Sequence, residues 1–160
     1  LIKHVEIIPI EFVVRNIASG SICSRLGIKD GVKLKKPLLE YYLKEDSLDD
    51  PIVSRDHLEL FGWANKNEIK KIDAMSLKIN QCLISYFKKK GIILVDFKIE
   101  FGRLSSNKQK IVLADEISPD SCRLWDIKSK TKLDKDVFRK GIGNLIDAYE
   151  EVASRLGIMH

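Results

Sequence analysis

Long hydrophobic runs are missing from this sequence, and so are cysteine clusters. No stretch of about eighteen apolar residues occurs, which predicts no membrane-spanning helix. The three cysteines, Cys23, Cys82 and Cys122, stand far apart, and neither a CxxC motif nor a Cys/His cluster is present. This usage predicts a protein of the reducing cytoplasm without a structural zinc site.

Aromatic residues are also scarce, at 8% of the chain, and they do not alternate with basic residues as in single-strand nucleic-acid binders. The net charge of +5 comes from 28 basic residues scattered among 23 acidic ones, so it suits anionic small molecules as well as nucleic acid. Internal repeats and Ser/Gly linkers do not occur in the sequence, and its first residues predict no secretory signal peptide. The 160 residues suit one domain, or two small lobes, with a real core. Because the sequence opens inside an apolar strand without an initiator Met, we expect a piece of a longer protein.

The segment 91–102 carries the strongest pattern in the sequence. It opens with an apolar run and then alternates polar and apolar residues, which predicts a buried β-strand. Asp96, Lys98 and Glu100 share one face of that strand. Three ionisable residues on a buried strand are costly unless they are paired, bind a metal or line a polar cleft.

A second apolar strand, residues 111–114, follows and ends at Asp115. The polar connection 103–110 predicts a β-hairpin, which would bring a carboxylate of each strand into one site. Two carboxylates beside a lysine are what a magnesium–phosphate site requires. A half-exposed hairpin with solvated charges fits the same pattern, and the pattern alone favours it.

A second candidate site lies where the first predicted strand, residues 1–16, ends beside Arg15. The next segment, residues 18–21, has small residues and a glycine, which let the backbone approach a ligand closely. Ser21 or Ser19 then caps a short helix over residues 22–26. A hydroxyl, backbone N–H groups and a nearby arginine suit a phosphate, although a simple capped turn is the commoner meaning of such a sequence.

The rest of the pattern predicts scaffold. The longest helix is expected from about residue 67 to residue 90, with Cys82 as a small buried residue on it. Residues 31–36 predict a turn and a basic loop, and residues 117–126 predict a loop that carries Arg123. A strand is expected at 38–43, and further helices are expected from Ser54 to residue 60, at 132–140 and at 143–156.

Three blocks of the sequence match a pattern known from one enzyme family. They are PIEFVVRN with ASGS at residues 9–16 and 18–21, LVDFKIEFG at 94–102, and DEISPD with RLWD at 115–120 and 123–126. In these blocks the chain resembles the SAICAR synthetases, the phosphoribosylaminoimidazole-succinocarboxamide synthases of purine biosynthesis. The likeness spans nearly the whole chain. It implies an α+β fold with a mixed or antiparallel sheet and packed helices.

The resemblance also implies an activity. The family joins the carboxylate of carboxyaminoimidazole ribotide (CAIR) to the amine of L-aspartate, with ATP and Mg²⁺, and gives SAICAR, ADP and phosphate. Such an enzyme would act on small molecules in the cytoplasm, without nucleic acid or membrane, and bacterial members are often homodimers. The family's N-terminal nucleotide lobe has no counterpart here, so residues 1–160 would form the central and C-terminal part of the catalytic domain. If that lobe is truly absent, this polypeptide should not turn over.

Carried over position by position, the resemblance assigns the reacting groups. Glu100 and Asp115 would hold magnesium, and Lys98 would stabilise the charge that develops during phosphoryl transfer. Asp96, counted with Lys98 as catalytic, and Asp50, counted as substrate-binding, would support the reacting groups or the aspartate site.

The resemblance assigns the substrate contacts as well. Arg15, Ser21 and Arg123 would bind the ribotide phosphate. Backbone groups of Glu6 and Ile7 would contact the adenine of the nucleotide, and the carboxylate of Glu11 would face its ribose.

Two other functions remain open on the sequence. Another Mg-ATP kinase or ligase for small molecules would share the carboxylate hairpin but not the phosphate-binding turn. A non-catalytic basic domain for anions or RNA would need neither, and its RNA binding would fall steeply with salt.

Overall fold

One antiparallel sheet organises the chain in the computed structural model, which describes residues 2–134, 136–139, 141 and 144–158. The strands are β1 Val5–Ile17, β2 Lys33–Leu43, β3 Ile52–Val53, β4 Ile92–Leu104, β5 Asn107–Ala114 and β6 Cys122–Asp126. The helices are α1 Ser21–Leu26, α2 Arg55–Leu60, α3 Lys66–Lys89, α4 Asp136–Arg139 and α5 Leu145–Leu156. The strand order is β3-β2-β1-β4-β5, with β6 paired to the first part of β4. The expected α+β class and antiparallel sheet are confirmed.

Strand β4 lies inside the sheet, between β1 on one side and β5 and β6 on the other, and its two faces differ in polarity. Phe97, Ile99 and Phe101 are buried in the core. Phe12 of β1 lies opposite Ile99 and meets Phe101 edge-on, with 5.3 Å between the ring centroids. Burial of each such side chain contributes about 1.5–3 kcal/mol. The period of two predicted for this strand is therefore confirmed, and it delivers the polar side chains to the opposite face.

Helix α3 packs on the sheet through a largely apolar stripe that includes Ile72 and Phe87. Asn65 caps its first turn by accepting hydrogen bonds from two backbone N–H groups. In the stripe, Asn80 exchanges hydrogen bonds of 2.8 and 2.9 Å with Asn16 of β1. This pair fixes the helix against the sheet, because a slip would leave buried amides unpaired. None of the described helices is long and apolar enough to cross a membrane.

Two segments expected to be loops are strands. Residues 33–36, predicted as a basic loop, extend β2, and Lys33 pairs with Ile17. Lysines beside a proline are also typical of an exposed sheet edge, which explains the misinterpretation. Residues 122–126, predicted as part of a loop, form β6, where Cys122 pairs with Phe97. The turn residues before β6 concealed a short strand that only its partner β4 specifies.

The helix predictions need smaller corrections. Cys82, expected to be buried, is exposed, while Ile79 and Leu83 pack on the core. The helix expected at 132–140 is limited to α4 within the described residues, and positions 135 and 140 lie outside them. The closing helix begins at Leu145, and position 143 of its predicted range also lies outside the described residues.

Candidate functional site

The polar face of β1 and β4 forms the floor of a cleft. The two strands pair so that Arg15 lies opposite Asp96 and Glu11 lies opposite Glu100. A cavity of about 270 Å³ opens over this face. Seven of the eleven predicted site residues line it, namely Glu11, Arg15, Ser21, Asp50, Asp96, Lys98 and Arg123.

A buried carboxylate joins the two arginines of the cleft. Asp96 accepts a hydrogen bond of 2.8 Å from Arg15 Nη1 and one of 3.0 Å from Arg123 Nη1. Burial raises the pKa of Asp96, while the positive charges of Arg123 and Arg15 oppose that rise. The shared carboxylate holds both guanidinium groups at one end of the cleft, where they would otherwise repel each other.

The contacts of Arg15 extend to residues that sequence reasoning missed. Glu40 of β2 is buried and accepts hydrogen bonds from Arg15 Nε at 2.6 Å and from Arg25 Nη2. Tyr42 donates to Glu40 and accepts from Arg15 Nη2 at 3.2 Å. Ser21 Oγ accepts from Arg15 Nη2 at 3.1 Å and from Arg25 Nη1 at 3.3 Å. A lone acid in the predicted strand 38–43, which otherwise holds only leucine and tyrosine, was the available signal for Glu40.

These contacts also set the charge of the cleft. Burial lowers the pKa of Arg15, but its hydrogen bond to Glu40 and the charge of Asp96 more than offset this, so the pKa lies above its ordinary value. The guanidinium group therefore stays positively charged in a largely buried position.

Arg123 is fixed by a close glycine and by acids beyond β6. Its Nε donates to Asp136 Oδ2 at 3.1 Å. Gly20 has φ of 65°, and a Cβ atom there would lie 2.5 Å from Arg123 Nη2, so the close approach requires glycine. Asp134, which is fully buried, accepts a hydrogen bond of 2.7 Å from the Leu124 N–H and one of 2.8 Å from the Asp136 N–H. Burial raises the pKa of Asp134 to about 6.

The β4–β5 hairpin places the two predicted metal ligands, Glu100 and Asp115, beside each other in the sheet register, although neither lines the cavity and Asp115 is exposed. Glu100 pairs with Ala114, so Asp115 follows directly after the residue opposite Glu100. Asp115 has φ of 64°, which ends the strand at that point. The predicted hairpin is confirmed, and its connection is shorter than expected because β4 and β5 extend into residues 103–110.

Lysines neutralise the carboxylates at this end. Lys98 Nζ lies 2.5 Å from Glu11 Oε1, and Lys44 Nζ lies 2.7 Å from Glu100 Oε1. Among the described residues, no group of three or more His, Cys, Asp or Glu side chains is placed to hold a metal ion. Magnesium commonly binds one or two carboxylates together with water and phosphate oxygens, so the donor set of Glu100 and Asp115 fits it.

The remaining predicted residues lie at the rim or beyond the cavity. Asp50 closes the loop before β3, where its Oδ1 accepts a hydrogen bond of 2.9 Å from the Glu45 N–H. The Glu6 carboxylate is turned to the surface, with Lys108 Nζ at 3.0 Å. Glu6 and Ile7 pair with β4, whereas β2 pairs with β1 only from Ile10 onward.

Comparison with known sequences shows the family to which this chain is similar. A family model described as SAICAR synthetase matches residues 1–156. A phosphoribosylaminoimidazole-succinocarboxamide synthase from Pelagibacter ubique is 60% identical over 161 aligned residues, covering 100% of this chain and 62% of that protein. The chain thus spans less than two thirds of this curated relative's length.

Solved structures agree with the sequence match. The synthase of the same name from Ehrlichia chaffeensis has a TM-score of 0.96 and 49% identity, covering 99% of this chain and 68% of that one. A SAICAR synthetase in complex with ADP has a TM-score of 0.91 and 49% identity, covering 96% and 64%. The chain therefore belongs to the SAICAR synthetase family.

Proposed function

We propose that the protein to which this chain belongs is an ATP- and Mg²⁺-dependent carbon–nitrogen ligase that joins CAIR and L-aspartate to give SAICAR, ADP and phosphate. The name of the relative from Pelagibacter ubique supports this activity. In this chain, the observation that carries the proposal is the row of charged residues along β1 and β4. It runs from the Arg15–Asp96–Arg123 cluster to the carboxylates at Glu100 and Glu11.

The arginine end would bind the ribotide phosphate. Ser21 Oγ accepts hydrogen bonds from Arg15 and Arg25, so its own O–H would be available to donate to a phosphate oxygen, and the two guanidinium groups would strengthen it as a donor. Arg123 directs Nε and Nη1 to carboxylates and lines the cavity, and its Nη2 lies close to Gly20, the residue before α1. Charged donors held in a fixed geometry are what phosphate recognition needs.

The carboxylate end would serve phosphoryl transfer. A carboxylate is a poor electrophile, so transfer of the ATP γ-phosphoryl group to CAIR would give an acyl phosphate that the aspartate amine attacks, with phosphate as the leaving group. Such transfer depends on alignment and charge neutralisation. Lys98, paired with Glu11 at the cavity wall, would stand beside the reacting anions. Magnesium, held by Glu100 and Asp115, would supply further neutralisation of phosphate charge.

The nucleotide would lie along the start of β1. Since β2 pairs with β1 only from Ile10 onward, the backbone of Glu6 and Ile7 has one edge directed away from β4. Adenine could form hydrogen bonds with such an edge, and Glu11 lies further along the same strand, at the cavity. The ADP complex of a related SAICAR synthetase supports a nucleotide site in this chain.

The experiment is an assay of SAICAR formation from CAIR, L-aspartate and ATP with the full-length protein. The Glu100→Gln variant should lose Mg²⁺-dependent turnover while keeping its circular dichroism spectrum, because an amide replaces a metal-binding carboxylate of similar shape. Glu150→Gln, which changes an exposed residue by the same chemistry, serves as the control. Wild-type activity in Glu100→Gln would remove Glu100 from the metal site, and no SAICAR from the wild-type protein would refute the proposed ligase.

A further inference from the structure

The amine of Lys44 lies among the carboxylates to which the proposed function assigns the metal. Lys44 follows directly after β2, and its Nζ is 2.7 Å from Glu100 Oε1. Besides this hydrogen bond to Glu100, the negative charges of Glu11 and Asp115 also act on the amine. The ammonium group of Lys44 thus interacts electrostatically with all three acids at this end of the cleft.

The register of the sheet explains why a cation is needed there. Glu11 and Glu100 lie directly opposite each other on β1 and β4, and like charges in that arrangement destabilise a sheet. Both carboxylates are largely buried, which makes an unpaired charge more costly. Lys98 pairs with Glu11, and Lys44 pairs with Glu100.

The two partners of the second pair differ in freedom. The side chain of Glu100 is 6% exposed, whereas that of Lys44 is 47% exposed. The carboxylate is therefore held in a buried position by its strand, while the lysine side chain has solvent on one side into which its amine can move.

We propose that Lys44 is a built-in counter-ion of the metal site, which competes with the divalent cation for Glu100 and withdraws when that cation binds. The inference rests on the proposed metal role of Glu100 and Asp115. An ordinary surface ion pair would contribute only to the stability of the fold. Removal of a cation that competes for Glu100 should instead tighten metal binding.

The test is a titration of the full-length protein with Mn²⁺ alone, with free Mn²⁺ measured by electron paramagnetic resonance. Lys44→Met should bind Mn²⁺ about three- to tenfold more tightly than wild type, the scale of a partly exposed ion pair. Lys44→Arg, which keeps the charge, should stay near the wild-type affinity. Lys78→Met removes one positive charge from an exposed position on α3 and should also have no effect. Glu100→Gln should weaken Mn²⁺ binding at least about tenfold.

The outcomes separate the two claims. If Glu100→Gln weakens binding but Lys44→Met does not tighten it, or if Lys78→Met tightens it equally, Lys44 does not compete and only this inference fails. If Glu100→Gln binds Mn²⁺ as wild type does, or if no variant shows saturable binding, the proposed metal site fails together with it. Tighter binding confined to Lys44→Met, together with weaker binding by Glu100→Gln, supports both.

Discussion

Gly20→Ala tests whether the arginine end of the cleft binds the ribotide phosphate. The new Cβ atom would lie 2.5 Å from Nη2, 2.7 Å from Cζ and 3.0 Å from Nη1 of Arg123. Because carbon contacts are normally about 3.5–4.0 Å long, the guanidinium group must move by roughly 1 Å. That movement stretches its hydrogen bonds to Asp96 and Asp136.

The expected effect is a change in substrate affinity. A charge-assisted hydrogen bond contributes about 1.5–3 kcal/mol, so KM for CAIR should rise roughly tenfold to a hundredfold. KM for ATP should change much less, because the start of β1 lies outside the affected cluster. Backbone strain adds a stability cost of about 1–3 kcal/mol, since Gly20 has φ of 65° and ψ of −137°.

Gly27→Ala is the matched control for this variant. Gly27 ends the same helix, α1, that Gly20 precedes, and it also has a positive φ, 64°, but a Cβ atom there would meet nothing within 4 Å. It should lower the melting temperature without raising KM for CAIR. The measurements are steady-state kinetics for each substrate and thermal unfolding of each variant. If KM for CAIR in Gly20→Ala stays within about threefold of wild type, the change is smaller than the energy of one such hydrogen bond. That result would refute the assignment of Arg123 to the ribotide phosphate.

Three further predictions follow from buried groups. Arg15→Ala removes one of the two guanidinium partners of each of the buried carboxylates Glu40 and Asp96, which keep Arg25 and Arg123. It should therefore cost about 1.5–3 kcal/mol in urea unfolding at neutral pH and raise KM for CAIR more than KM for ATP, and equal stability of variant and wild type would contradict this. The pKa of Asp134, about 6 in the folded chain, exceeds the ordinary value of about 3.9, so its bound proton stabilises the fold fully below about pH 4, and that contribution is lost as pH rises through 6. In Asp134→Asn, the free energy of unfolding should therefore decrease less steeply between about pH 4 and pH 6 than in wild type. An unchanged slope would contradict the raised pKa of Asp134. Burial raises the pKa of Cys122 to about 12, so iodoacetamide at mildly alkaline pH should label the exposed Cys82 and spare Cys122 by mass spectrometry.

Short-range sequence pattern was sufficient to predict the structural features that depend only on neighbouring residues. The alternation of β4 fixed which side chains face the core and which face the cleft, because successive residues of a strand point to opposite faces. The hairpin before Asp115, the glycine beside Ser21 and the Ser54 cap of α2 were likewise predicted correctly from short stretches. The predicted Ser19 or Ser21 cap of α1 is wrong, because Gly20 precedes that helix and no side chain caps it. Local pattern already suggested phosphate chemistry beside Arg15 and Lys98, and the family resemblance made that hypothesis specific to a ribotide phosphate and to phosphoryl transfer.

Only the tertiary structure decided which distant charges meet. Glu40, Tyr42 and Lys44 belong to β2 or follow it directly, and they reach Arg15 and Glu100 only because β2 and β4 flank β1 in a defined register. Likewise, β6 is a strand because β4 offers it an edge, although its own sequence resembles a loop. A sequence shows that a buried charge needs a partner, but the partner is chosen by strand order and register, which depend on the whole sheet.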